Sequence, residues 1–440
     1  MRTALQLNAS ASDGGAARAA SRLHLALEGH GYGWRSTFRA IHGSPKAGSY
    51  LVSPPRDQST IWRGLRPRLA RLRRRGWTPQ NPSLHSLAWL DTSLGQELTD
   101  AHLEGRFQLL NMHWLGDSTL SIEEIGRLKL PLVWTLHDQW AFSGAEHYCP
   151  LSDEGESIIS DQRFVHAYSA KTCPVTERKR DLNRSTWLRK KRAWISPITL
   201  VCPSRWMASC VKSSALMSDW PCHVIPNPID LQRWLPVPPA QAREILGLPM
   251  QGALVLFGAM GGGNDPRKGC DLLIHALHKL VERKWCPDKS LHLVIFGEEQ
   301  PLRPPKFGVA VHYLGHLSDD LSMRLAYSAA DVMVVPSRLD NLPNTATEAM
   351  SCGTPVVAFR TGGLPDIVDD YINGRLAEPF DPISLAECIK SVLVTSMQNP
   401  SMSLSARQTA ASRWGFSNVA RLYSSLYDEV LESNFGGCTA

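Results

Sequence analysis

Residues 332–359 read VMVVPSRLDNLPNTATEAMSCGTPVVAF. Two apolar, β-branched runs, Val332–Val335 and Pro355–Phe359, bracket a polar turn and a segment of helical character over Asn344–Met350. Strands buried on both faces read as such continuous apolar runs. Strands alternating with helices build parallel sheets covered on both sides. Outward from this stretch the alternation continues. Strands are predicted at Ala253–Phe257, Leu291–Phe296 and Val309–Leu314, and helices near Cys270–Val281, Leu321–Ala329 and Ser384–Val394.

The N-terminal half carries the same rhythm less regularly. Thr3–Asn8 is a short apolar run, Gly14-Gly15 a turn, and Ala16, Ala20, Leu23 and Leu27 fall at helical spacing before Gly29-His30-Gly31. Strands are expected at Phe107–Leu115, Leu132–Leu136 and Ile198–Cys202. One helix is expected to open at Ser118, and another after Pro203-Ser204. From Val224 the run VIPNPIDLQRWLPVPP holds five prolines and reads as a linker. The expected architecture is α/β, with two doubly wound Rossmann-like domains facing a cleft. Residues 1–225 form the first domain and 226–410 the second. Residues 411–440 hold a final helix, expected to pack back toward the first domain, and a tail.

Composition narrows the functional classes. The chain has 440 residues, 43% hydrophobic and 20% charged, with 47 Lys plus Arg against 41 Asp plus Glu. That balance is globular. Its formal charge of +6 is local: RGLRPRLARLRRR, Arg63–Arg75, carries seven arginines and no acid. Glu177–Arg192 carries a net +6, which leaves −7 on everything else. A nucleic-acid coat would be basic more broadly, so no nucleic-acid partner is expected. The opening residues lack an apolar signal-peptide core, and no apolar run reaches the ~20 residues of a membrane span. A cytoplasmic protein is expected, peripheral at most. The ten cysteines form no Cys-x-x-Cys pair and read as free thiols, although Cys149 and Cys173 bracket a loop with His147 and His166 where a metal clip is conceivable.

Ligands of doubly wound sheets bind beyond the carboxyl ends of the strands, so polar residues there weigh most. After Val335, Asp340 and Asn341 lie in a turn, Pro343 suits a first helical turn, and Asn344 and Thr345 open a helix whose N–H groups suit a phosphate. Glu348 lies a turn further on, where a carboxylate can accept two bonds from vicinal ribose hydroxyls; the plainer alternative is solvated surface. After Phe257 comes a glycine-rich turn ending in Arg267-Lys268, two cations for a diphosphate. Thr135-Leu136-His137-Asp138 and Asn111-Met112-His113 end two further strands.

The spacing from Asp340 to Glu348, followed by Ala-Met-Ser-Cys-Gly-Thr-Pro-Val-Val-Ala and Gly362-Gly363, resembles the E-x7-E signature of glycosyltransferase family 4. Val224–Asp230 resembles that family's interdomain hinge, and Asp340–Thr345 with Gly14–Arg18 resembles its colanic-acid or exopolysaccharide subgroup. The resemblance implies a GT-B fold and a retaining hexosyltransferase. It would move a sugar from a nucleotide-sugar to a saccharide or lipid-linked saccharide. It implies His137 and Asp340 orienting the donor sugar and Glu348 holding the ribose. Gly14, Gly15, Arg267, Lys268, Asn341, Asn344 and Thr345 would bind the donor diphosphate and its surroundings. Arg18 and His113 fall on the acceptor side.

Two departures stand out. The first acid is Asp340 where most members have Glu, and the family's usual Arg after the strand at Phe257 is missing, with Arg267 as its expected substitute. No Asp-x-Asp occurs, so no metal and no other cofactor is expected. The Trp-flanked arginines Arg63, Arg66, Arg68, Arg71, Arg73, Arg74 and Arg75 suit an anionic membrane surface on the cytoplasmic side, and Glu177–Arg192 either an acceptor diphosphate or plain solvent. A catalytically silent GT-B partner protein and a GT-B sugar-nucleotide epimerase remain as alternatives.

Overall fold

The computed structural model describes residues 1–43, 50–53, 65, 68–69, 71–79, 84–116, 119–150, 163–258, 265–283 and 291–436. They divide into two compact units. One takes in the described residues up to Pro226 and those from Val419 onward; the other is Asn227–Asn418.

The first unit is built on a seven-stranded sheet ordered β3-β2-β1-β4-β5-β6-β7. The strands are β1 (Arg2–Ser10), β2 (Trp34–His42), β3 (Tyr50–Val52), β4 (Leu109–Met112), β5 (Leu132–Thr135), β6 (Thr199–Cys202) and β7 (Cys222–Val224). All paired neighbours run parallel. Helices α1 (Gly15–His30), α2 (Leu94–Leu103), α3 (Ile122–Arg127), α4 (Leu182–Ala193) and α5 (Arg205–Ser213) connect them. Strand order reverses between β1 and β4, which places the crevice for ligands beyond their carboxyl ends.

The second unit repeats the plan with six strands ordered β10-β9-β8-β11-β12-β13. These are β8 (Ala253–Gly258), β9 (Leu291–Phe296), β10 (Ala310–Tyr313), β11 (Val332–Val335), β12 (Val356–Phe359) and β13 (Gly374–Ala377). They are again parallel, with the reversal between β8 and β11. The helices are α6 (Pro239–Ile245), α7 (Cys270–Glu282), α8 (Asp320–Ala329), α9 (Asn344–Ser351), α10 (Pro382–Gln398) and α11 (Ser401–Trp414). α12 (Phe416–Gly436) follows, and from Val419 onward it belongs to the first unit.

Local chemistry explains the boundaries. β11 and β12 are buried at every position, as strands of a doubly covered sheet must be. α7 buries Cys270, Leu273, Ala276, Leu277 and Leu280, one stripe at i, i+3, i+4 spacing. The starts of α5, α8 and α10 follow polar turns in which Ser204, Asp319 and Asp381 accept from backbone N–H groups of the helices they precede, each worth about 1 kcal/mol. The helix expected to open at Ser118 instead opens at Ser121. Its hydroxyl accepts from the Glu124 amide at 2.9 Å while the Glu124 carboxylate accepts from the Ser121 amide at 2.8 Å. This reciprocal pair outweighs a lone serine; Ser118 itself lies outside the described residues. Pro343 likewise sits just before α9, and the helix begins at Asn344.

A buried polar ladder crosses the first sheet. Gln6, Asn111 and Thr135 stand on the adjacent strands β1, β4 and β5. Thr135 donates to Asn111 Oδ1 at 3.1 Å, and Asn111 Nδ2 donates to Gln6 Oε1 and to the Tyr427 hydroxyl, both at 3.0 Å. Gln6 Nε2 donates to the Tyr427 hydroxyl at 3.3 Å, and the Tyr423 hydroxyl meets Thr135 Oγ1 at 3.1 Å. Tyr427 thus completes the hydrogen bonding of two buried amides, and Tyr423 that of the Thr135 hydroxyl.

Candidate functional site

In the second unit the site grows from the β8/β11 reversal. The glycine-rich turn over 259–264 lies outside the described residues. Beyond it, Pro266–Lys268 form a 3-10 turn and Gly269 takes φ +67. A Cβ on Gly269 would stand 1.9 Å from the Pro336 carbonyl oxygen, so only glycine lets this turn close against the end of β11. The Arg338 amide then donates to the Arg267 carbonyl at 2.7 Å. This closure carries Lys268 to Asp340, Nζ to Oδ2 at 2.6 Å.

Arg267 takes another course than expected of a phosphate ligand. Its guanidinium grips Asp265 through Nε at 3.2 Å and Nη2 at 2.6 Å. The cause is local: Asp265 also accepts from the Arg267 amide at 3.0 Å, a turn that folds the side chain back on its neighbour.

Asp340 is anchored at backbone and side chain. Its carbonyl accepts from the Gly363 amide at 3.0 Å, and its Oδ1 accepts from the Asn341 amide at 3.1 Å. Gly362, at φ +56, would place a Cβ 2.4 Å from the Asp340 carbonyl oxygen, which accounts for the glycine there. Asn341 is buried, and Asn344 and Thr345 are half-buried at the start of α9. Glu348 is not solvated surface: its exposure is 0%, and Oε2 accepts from the Tyr327 hydroxyl at 2.8 Å. A ligand reaches that carboxylate only when neighbouring side chains withdraw.

In the first unit, Gly14 precedes α1 at φ +90 with open space where a Cβ would be, so backbone conformation alone selects glycine. Gly15 is exposed and Arg18 half-buried one turn on. His113 and His137 follow β4 and β5 and meet, Nδ1 to Nε2, at 2.9 Å. His113 Nε2 meets Gln6 Oε1 at 3.1 Å. Because Gln6 Oε1 can only accept, His113 carries its proton on Nε2, its Nδ1 accepts, and His137 donates from Nε2. Burial holds both rings neutral. It pushes His137 down to about 4 against the opposing pull of the Asp138 charge, and it pushes His113 well below the ordinary value with help from His137.

Asp138, next in the chain, stays ionised despite burial because His147 faces it, Nδ1 to Oδ2 at 2.6 Å, and the Trp140 amide donates to Oδ1 at 3.0 Å. His147 Nε2 in turn meets Ser86 Oγ at 2.7 Å. His113, His137, Asp138 and His147 line a cavity of about 10 Å³, room for about one water. Sequence reasoning missed Ser86, His147 and Tyr327 as contributors. Gln6 and Asn111 did leave a signal, as amides inside otherwise apolar strands.

The basic stretches come together in part. Arg63 and Arg66 lie outside the described residues. Arg68, Arg71, Arg73 and Arg75 are exposed, Arg73 stacks 4.8 Å over Trp89, and Arg74 donates to the His85 carbonyl. Arg180 donates to the Arg75 carbonyl, joining the start of the second stretch to the end of the first. The second stretch is not uniform surface, however. Arg189 pairs with Glu123 at 2.5 Å. Lys190 is fully buried, 4.0 Å over Trp140, and donates to the carbonyls of Trp140, Ser143 (3.1 Å) and Gly144 (2.7 Å). It is a structural cation pinning the loop after His137. Among the described residues no group of three or more His, Cys, Asp or Glu is placed to hold a metal ion, the Cys149 and Cys173 region included.

Residues 253–394 match the family model described as Glycosyl transferases group 1. The D-inositol 3-phosphate glycosyltransferase of Xylanimonas cellulosilytica is 33% identical over 224 residues, 47% of this chain and 51% of the relative. That of Saccharomonospora viridis is 33% identical over 41% of this chain and 44% of the relative. The chain spans about half the length of the curated relatives it matches. Among solved structures, sucrose-phosphate synthase from Thermosynechococcus elongatus superposes with TM-score 0.64 at 17% identity, over 98% of this chain and 100% of the other. Anabaena Alr3699/HepE, solved in complex with UDP-glucose, gives TM-score 0.61 at 18% identity over 98% and 100%. With its two doubly wound parallel sheets the chain has the GT-B fold, and its residues 253–394, around Asp340 and Glu348, are similar to the Glycosyl transferases group 1.

Proposed function

We propose that this chain is a retaining, metal-independent hexosyltransferase. It moves a sugar from a nucleotide-sugar to a saccharide or lipid-linked saccharide in cell-surface polysaccharide synthesis. The observation that carries the reading is the assembly of Lys268, Asp340 and the start of α9 beyond the β8/β11 reversal, inside the region of the family match. Lys268 and the helix start oppose the diphosphate charge as it grows on leaving. Asp340 accepts from a donor-sugar hydroxyl, and Glu348 holds the ribose once the side chains over it move. His137, neutral and donating from Nε2 to His113, offers a non-ionic face to the sugar. The C1–O bond to phosphate breaks as the acceptor oxygen bonds C1 on the same face. The acceptor proton passes to the departing phosphate oxygen.

The acceptor is proposed to be membrane-borne. Arg68, Arg71, Arg73 and Arg75, with Arg180 brought against Arg75, favour a peripheral position on the anionic cytoplasmic leaflet. No helix among the described residues is long and apolar enough to cross a membrane.

The test is turnover of a nucleotide-sugar panel by wild type, Glu348→Ala and Lys268→Ala, with saccharide acceptors. Transfer lost in both variants supports the reading. Equal, negligible turnover in all three with no nucleotide binding sinks it in favour of a silent partner. Donor isomerised without acceptor would point to an epimerase.

A further inference from the structure

Three cations around the β8/β11 reversal are held by carboxylates of their own unit: Arg267 by Asp265, Arg338 by Asp271, and Lys268 by Asp340. The last pair differs in the freedom of its partners. Asp340 is fixed through Oδ1 by the Asn341 amide, through its carbonyl by the Gly363 amide, and sterically by the Gly362 backbone. Its side chain is 11% exposed. Lys268 is 26% exposed on a flexible four-carbon stem, and its ammonium pairs with Asp340. An incoming phosphate can therefore swing Lys268 away, while Asp340 stays where it is.

That asymmetry has a chemical consequence. Once Lys268 turns to phosphate, Asp340 loses its counter-charge in a largely dehydrated place, and an unpaired buried carboxylate is costly. A sugar hydroxyl can restore its hydrogen bonding. A bare terminal phosphate cannot; it brings about one further negative charge, since the monoester ionises a second time near neutral pH.

We infer that Asp340 acts as a specificity-determining residue that admits a nucleoside diphosphate carrying a sugar and penalises the nucleoside diphosphate alone. This rests on the nucleotide-sugar reading and adds to it a preference for donor over spent product at the same site. The selectivity is repulsive, set by what the wrong ligand leaves unpaired. The same repulsion assists departure of the nucleoside diphosphate after transfer.

The experiment is isothermal titration of the full chain, wild type and Asp340→Asn, with nucleoside monophosphate, diphosphate and diphospho-glucose in the uridine, guanosine and adenosine series. In whichever series binds, wild type is expected to prefer the diphospho-sugar to the diphosphate. Asp340→Asn is expected to tighten the diphosphate about tenfold, the weight of one modest charge interaction, with the monophosphate within about twofold. Thermal melting of both proteins confirms that the variant is folded. If Asp340→Asn leaves diphosphate affinity unchanged or weakens it while the monophosphate still binds, the inference fails and the nucleotide site survives. If no series binds wild type, the donor reading itself falls and takes the inference with it.

Discussion

His113 and His137 share one hydrogen bond of 2.9 Å, and the amide of Gln6 dictates its direction. Two neutral imidazoles are thereby locked at the tips of β4 and β5, each in a single tautomer. Because both are held below the ordinary histidine value, the unfolded chain binds more protons than the folded one between about pH 6.5 and about pH 4. Stability contributed by the pair is therefore complete above that window and is lost as pH falls through it. The melting temperature of wild type should drop across this range. His137→Asn, whose amide can donate the same bond but cannot ionise there, should show a shallower drop. Parallel pH curves for the two proteins would contradict the assignment.

Tyr427 accepts from two buried amides, Gln6 Nε2 and Asn111 Nδ2. Tyr427→Phe keeps the packing and strands both donors. A loss of about 1–3 kcal/mol in urea unfolding is expected. A change within about 0.5 kcal/mol would mean that water replaces the phenol.

Lys190 satisfies three carbonyls with one ammonium. Lys190→Met fills similar volume and leaves those oxygens without their donor, so a loss of at least about 2 kcal/mol is expected. Because the carbonyls belong to the loop that follows His137, hydrogen exchange should accelerate first at Trp140–Gly144.

Gly269→Ala puts a methyl group into the Pro336 carbonyl at a left-handed backbone position. The strain should exceed about 1 kcal/mol and be relieved by moving the Pro266–Lys268 turn off β11. Nucleotide affinity should fall while the first unit's melting is untouched. Unaltered affinity would show that the turn tolerates displacement.

Neutralising Arg71, Arg73, Arg74 and Arg75 together should weaken flotation with anionic liposomes, each charge near the surface being worth about 1 kcal/mol at low salt. Neutralising Arg178 and Lys179, which flank the Arg180 contact, should add to the loss. Binding that survives both sets would reduce this face to ordinary surface charge.

Much of the second unit could be read directly from the chain, because strands buried on both faces announce themselves as continuous runs such as Val332–Val335. The Lys268–Asp340 pair was foreshadowed only as two residues of one site, since a flexible lysine leaves no periodic trace. The pairing of Arg267 with Asp265 is likewise not legible, because adjacency to Lys268 in sequence says nothing of the Asp265 turn that holds it. Lys190 misled for a related reason: amid Arg189, Lys191 and Arg192 its charge looks like surface, and only the facing Trp140 and three carbonyls make its burial tolerable. The Ser86–His147–Asp138 chain joins two loops far apart in sequence, a relation that no local pattern encodes.

The phenols of Tyr423 and Tyr427 also set an order of events during synthesis. Gln6, Asn111 and Thr135 are translated before the second unit, yet the groups that complete their bonding are translated after it. The unit translated first is therefore the unit finished last. A chain truncated after Asn418 would carry every residue of the second unit together with a first one whose interior still lacks its closing hydroxyls.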